Sequence, residues 1–126
     1  MRNLTLIIPA KNESESLPLV LKDLNNLDTN IIVSLSREDI ITKNSIKNFN
    51  VKVHEQSKLG YGNSLIEAIK KCQTEFFCIF NADGSFDPKE LNLMLEKINK
   101  DNYDFIFGSR YEHNSGSDDD TIITKI

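Results

Sequence analysis

The feature that most constrains this chain is the alternation of short apolar runs with amphipathic stretches. Five runs stand out: Leu4–Pro9, Ile31–Leu35, Val51–His54, Phe76–Phe80 and Tyr103–Phe107. Four of them are continuous, which predicts strands buried on both faces. Val51-Lys52-Val53 alternates instead and reads as an edge strand. Between the runs the apolar residues switch to helical spacing. Leu17, Val20, Leu21, Leu24 and Leu27 form one stripe; Leu65, Ile66, Ile69 and Cys72 form another; Leu91, Met94, Leu95 and Ile98 a third. Pro18 fits only the first turn of its helix, which places that start near Asn12–Ser16. Asn63 or Ser64 is available to cap the next helix, and Asp87-Pro88 opens the last. Glu38–Asn48 has the weakest pattern, with Ile40, Ile41 and Ile46 as one face of a short helix. The β-α-β order predicts an α/β fold: a mostly parallel, doubly wound sheet with helices on both faces, in three layers.

The chain has 126 residues, which predicts a single domain over 1–126. A chain of this size buries roughly two-thirds of its unfolded surface and needs no disulfide to fold. Cys72 and Cys78 therefore read as reduced thiols. Lys plus Arg number 15 against 19 Asp plus Glu, a net charge of −4, which argues against a nucleic-acid partner. No apolar run approaches the ~18 residues of a membrane span. Met1-Arg2-Asn3 leads directly into a strand, so no signal peptide is expected and the location reads as cytoplasmic. Composition shifts once, at Glu112–Asp120, and residues 111–120 are expected to form a mobile loop. Thr121–Ile126 then begins another apolar element. It looks too short to bury itself, so a truncated chain, or a homodimer formed through this C-terminal element, is expected.

In open α/β sheets ligands bind beyond the carboxyl ends of the strands, where strand order reverses. A 3-2-1-4 order would put that crevice between Pro9–Glu13 and Asn81–Ser85. The loop after the first run has neither G-x-G-x-x-G nor a P-loop, which excludes ordinary dinucleotide dehydrogenases and P-loop NTPases. It also lacks the acidic pair of a phospho-receiver domain. Asp83, at the end of a buried strand, could bridge a hard divalent cation to a diphosphate; Asp83-Gly84 also reads as a simple turn. Glu13 and Asn12 could contact a base or ribose, yet Asn12-x-x-Glu15 is also a capping box. Lys58, with Gly60 and Gly62, could bring a cation and bare backbone N–H groups to a diphosphate, or be a solvated lysine before a tight turn. Arg110 is a good bidentate phosphate ligand by geometry, against the alternative of an exposed loop arginine. Asp118-Asp119-Asp120 reads as a second cation or acceptor site, or as a solvated loop. Tyr61 could stack on a base or sit half-buried at a helix start, and His54 and His113 lack metal-ligand spacing.

Four segments, in order, resemble the family 2 glycosyltransferases: Ile7-Ile8-Pro9-Ala10-Lys11-Asn12-Glu13, Lys58-Leu59-Gly60-Tyr61-Gly62-Asn63, Asn81-Ala82-Asp83-Gly84-Ser85-Phe86-Asp87-Pro88 and Gly108-Ser109-Arg110-Tyr111. The last is similar to the segment of dolichol-phosphate mannose synthase-like members. The resemblance implies a GT-A-type fold, a nucleotide-diphosphate sugar donor, a divalent metal (Mg or Mn) and inversion at the anomeric carbon. Carried over residue by residue, it makes Asp83 the catalytic, metal-binding carboxylate of the D-x-D segment, with Asn81 and Ser85 as further metal positions. Pro9, Ala10, Asn12, Glu13, Lys58, Gly60, Ala82 and Arg110 fall at donor-binding positions. Asn81 stands where the family usually has an acid; it keeps a carbonyl ligand but loses a charge, so weaker metal affinity is expected. The acidic pair expected after the second strand is replaced by Ser34-Leu35-Ser36. Family members that transfer to a hydroxyl take a base from beyond the fifth strand. A polyprenyl phosphate acceptor needs none, and would put the complete protein at a membrane surface. Two other classes compete: a non-catalytic nucleotide-sugar binding module, and a nucleotidyltransferase. The nucleotidyltransferase would be expected to carry a Gly-rich basic loop where this chain has Lys11-Asn12-Glu13.

Overall fold

The computed structural model describes residues 3–100, 105–108 and 121–125. In chain order the elements are β1 (Leu4–Pro9), α1 (Leu17–Leu24), β2 (Asn30–Leu35), α2 (Ile40–Ser45), β3 (Lys52–Glu55), α3 (Tyr61–Ile69), β4 (Phe76–Ile79), α4 (Pro88–Lys100), β5 (Phe105–Gly108) and β6 (Thr121–Lys125). They build one six-stranded sheet in the order β3-β2-β1-β4-β6-β5. The first four strands are parallel neighbours, and β6 runs antiparallel to both β4 and β5. The mostly parallel expectation holds, and β3 is the edge that its alternation predicted.

Alternation along β1 divides the core in two. Leu4, Leu6 and Ile8 join Leu17, Val20, Leu21 and Leu24 of α1 and Leu91, Met94 and Leu95 of α4 on one face. Ile7 turns to the other face, with Ile32 and Ala68, flanked by Leu65, Ile69, Cys72 and Phe77. Helix α3 approaches β2 closely because small residues face the sheet. Ser64 Oγ donates to Ser34 Oγ at 2.8 Å and Ser34 Oγ to the Ser64 carbonyl at 3.0 Å, so this buried pair is satisfied within itself. The Leu65/Ile66 stripe is thus rotated from expectation: Ser64 and Ala68 are buried, and Ile66 is exposed.

Other expectations are corrected. The first residue of α1 follows Ser16, whose side chain makes no capping bond, and the Asn12-x-x-Glu15 box does not form the cap. In α2, Ile46 is buried but Ile40 and Ile41 are exposed; the inward residue is Thr42. The cap of α3 is Gly60, neither Asn63 nor Ser64. Residues 121–125 pair within the chain. They form β6, which inserts between β4 and β5 with a ladder on each side. Tyr103, Ile126 and the loop expected at 111–120 lie outside the described residues. No described helix is long and apolar enough to cross a membrane.

Candidate active site

The parallel strands end together along one rim of the sheet. Ile7 pairs with Ile79, and Phe80 N–H still donates to the Ile7 carbonyl at 2.9 Å. Continuing that register sets Asn81 level with Pro9, so the segments after β1 and β4 leave the sheet side by side. Strand order reverses here, as expected of a ligand crevice.

After β1 the chain is held by the loop that follows β2. Ala10 is buried, and its N–H donates to the Ser34 carbonyl at 2.9 Å. Asn12 takes a left-handed φ of 55°, a conformation Asn tolerates. Its N–H donates to Asp39 Oδ2 at 2.8 Å, and the next N–H, of Glu13, donates to Thr42 Oγ1 at 3.1 Å. Asp39 also caps α2 through Thr42 N–H at 3.3 Å. Burial raises the Asp39 pKa, but the bonds from Asn12 and Thr42 outweigh it and hold this carboxyl below its usual range. The Glu13 carboxylate accepts the Ser16 hydroxyl at 2.5 Å. Pro9, Ala10, Asn12 and Glu13 are thus brought to the crevice, with Glu13 tied locally.

Ser34-Leu35-Ser36 carries no carboxylate, but two acidic residues stand just beyond it. Glu38 and Asp39 follow Leu35 in the same loop, and Asp39 is the residue that shapes the β1 loop. Its signal was available: an Asp one position before Ile40 and three before Thr42 is a capping pattern.

After β4 the segment is pinned by an aromatic pair. Phe80 and Phe86 are both buried, with ring centroids 5.3 Å apart and planes at 83°. Between them Ala82 is buried and Asp83 exposed. Ser85 N–H donates to Asp83 Oδ1 at 2.9 Å around Gly84, whose φ is 84°. Asn81 Nδ2 donates to Ser85 Oγ at 3.3 Å. Asp87 caps α4 through Lys89 N–H at 3.0 Å. The turn reading of Asp83-Gly84 holds, and the turn leaves the carboxylate exposed. Carboxylate, amide and hydroxyl oxygens are donors that suit a hard divalent cation. Among the described residues no group of three or more His, Cys, Asp or Glu forms a cage.

Lys58 and Gly60 sit on the turn between β3 and α3, at the same rim as the other two segments but off the end of β3, the outer strand. Both are exposed. Arg110, with Asp118–Asp120 and His113, lies outside the described residues. A cavity of about 550 Å³, lined by Thr5, Asn30, Lys52, Lys71 and Thr74, opens at the opposite end of the strands. It is remote from the β1 loop, the Lys58 turn and the Asp83 turn. The cysteines take no part: burial pushes the Cys78 thiol far up, and partial burial does the same to Cys72.

Over residues 5–125 the chain matches the family described as Glycosyl transferase family 2. Three solved structures share the fold. One is a cytidylyltransferase from Leptospira borgpetersenii serovar Hardjo-bovis (TM-score 0.74, 19% identity, covering 99% of this chain and 61% of that one). Another is glucosyl-3-phosphoglycerate synthase from Mycobacterium tuberculosis, in complex with Mn2+, UDP and glucosyl-3-phosphoglycerate (TM-score 0.66, 16% identity, 77% of this chain and 39% of that one). The third is TarS 1-349 from S. aureus (TM-score 0.65, 19% identity, 83% and 34%). The chain therefore spans less than two-thirds of the length of each.

Proposed function

The chain belongs to glycosyl transferase family 2, and on that premise we propose that it forms the donor half of an inverting sugar transferase that uses a nucleotide-diphosphate sugar. The observation that carries this reading is the rim itself. The β1 loop and the Asp83 turn leave adjacent strands where strand order reverses, and each is held by hydrogen bonds from its own surroundings.

In this reading Pro9, Ala10, Asn12 and Glu13 bind the nucleoside, on a loop that Asp39 has already shaped. Ala82 offers backbone to the diphosphate, and Lys58 with Gly60 approaches it from the neighbouring turn. Arg110 is proposed for the same phosphates. Asp83 holds a divalent cation, with Asn81 and Ser85 as weaker oxygen ligands. When bound, that cation neutralises charge developing on the departing nucleoside diphosphate. The protein's own part is to fix the donor so that the acceptor attacks opposite the leaving group. A polyprenyl phosphate is proposed as acceptor because its oxygen is already ionised, and it would bring the protein to a membrane surface. The likeness to a cytidylyltransferase is one of fold at 19% identity, whereas the family match covers residues 5–125 and favours sugar transfer.

The test is calorimetric titration of UDP and GDP, with and without Mn²⁺, into the wild type and Asp83→Ala. Metal-dependent binding is expected, weakened at least about tenfold in the variant, since even groups behind metal ligands are worth that much. No binding by folded wild type would overturn the donor site. Binding without release of nucleoside diphosphate from any sugar donor would favour the non-catalytic module.

A further inference from the structure

The turn between β3 and α3 is exposed, yet five of its backbone groups are claimed by side chains. Glu67, on α3, accepts Ser57 N–H at Oε1 (2.8 Å) and Lys58 N–H at Oε2 (3.1 Å). Gln56 Nε2 donates to the carbonyls of Lys58 (3.0 Å) and Gly60 (3.1 Å). Asn63 Nδ2 donates to the Leu59 carbonyl at 2.8 Å. Behind the carboxylate stands His54 of β3, its Nε2 2.9 Å from Glu67 Oε1. An ionised carboxylate only accepts, so His54 carries its hydrogen on Nε2.

This arrangement buries little. Lys58, Leu59, Gly60 and Tyr61 are all exposed, so the core gains nothing from ordering them. Gly60 is held at φ 108° and ψ 151°, a region open essentially to glycine alone. A surface turn whose glycine-only backbone state is held by side chains from two neighbouring elements is a preorganised one. Nor is Glu67 a helix cap. It sits beyond the first turn of α3 and reaches back across nine and ten residues in sequence.

We propose that Glu67 is a positioning residue for the donor. By fixing the N–H groups of Ser57 and Lys58, it sets where the Lys58 ammonium stands relative to the diphosphate. The inference rests on the proposed donor site, in which Lys58 is the cation. It adds that this cation works only from a turn tethered to α3, with Gln56 and His54 completing the tether.

The test is a double-mutant cycle on the full chain, using GDP and UDP with Mn²⁺ as probes. Glu67→Ala and Lys58→Ala are each expected to weaken nucleotide binding about tenfold, the value of a lost hydrogen bond to a charged group. Because Glu67 acts through Lys58, the double variant is expected to bind no worse than Lys58→Ala. Amide exchange at Ser57 and Lys58 should speed up in Glu67→Ala while the variant remains folded. Additive losses, or an unchanged affinity in Glu67→Ala, would overturn the positioning role and leave the donor site standing. Failure of folded wild type to bind either nucleotide would overturn the donor site and this inference with it.

Discussion

Two turns on the same rim achieve order by opposite means. The Lys58 turn is held from outside, by Glu67 and Asn63 on α3 and by Gln56 at the end of β3. The Asp83 turn is held from within, by its own Ser85 N–H and by two phenylalanines that anchor its ends in the core. The first is held because side chains bond five of its backbone groups. The second is rigid at its ends and leaves its carboxylate exposed in the middle. On the proposed function, this divides the labour: a fixed cation on one side, and an adaptable ligand for an ion that arrives with the substrate on the other.

The contrast can be broken most severely at Phe86. Replacing it with Ala removes the aromatic pair and opens a cavity, with an expected loss of about 3–5 kcal/mol in urea unfolding. Amide exchange in the Lys58 turn should stay slow in that variant under native conditions. Loss of protection there would show that the two turns depend on each other. Gly60→Ala acts on the other turn and is expected to cost about 1–3 kcal/mol, from backbone strain alone. Space is not the issue, because a Cβ at Gly60 would meet its nearest neighbour, Asn63 Nδ2, at 3.9 Å. A change below about 0.5 kcal/mol, typical of neutral surface sites, would mean that the turn relaxes freely.

The smallest effect is a titration. Ser57 N–H first, then His54 and Lys58 N–H, hold the Glu67 carboxyl down at about 2, from an ordinary value of 4.5. A carboxyl depressed by folding contributes fully above its unfolded value, and that contribution fades as pH falls through the folded one. The amide signals of Ser57 and Lys58 should therefore hold steady down to pH 4.5 and shift only toward pH 2. A midpoint at 4.5 would show a carboxylate that is not bound to the turn.

Much of this arrangement was legible in the sequence because it is local. Continuous apolar runs gave four strands, alternation identified β3 as an edge, and Asp87-Pro88 marked the start of α4. Both segments beside the crevice were found because each directly follows a buried strand. What escaped depends on contacts distant in sequence. Asp39 reaches Asn12 across 27 residues, and only its capping role was written locally. Glu67 had no local signature, since its partners lie behind it and its spacing matches no motif. Ile66 and the Ile40/Ile41 pair followed helical periodicity, but small or polar residues faced inward instead: Ser64 and Ala68 in α3, Thr42 in α2. The antiparallel insertion of residues 121–125 was hidden for the same reason. Thr121-Ile122-Ile123-Thr124 has high β-propensity, yet nothing local says which strand it joins.

That insertion bears on how the sheet closes during folding. Strands β1 to β4 can assemble through successive crossovers, each closing a modest loop. One side of β4 then stays open until β6 arrives, because Phe76 pairs with Lys125 and Ile79 with Ile122, and β5 reaches the sheet only through β6. Closures over such long stretches of chain are slow, and an open strand edge is a template for other molecules. The hazard of aggregation in this domain is thus a matter of timing, greatest in the interval before residues 121–125 dock on β4.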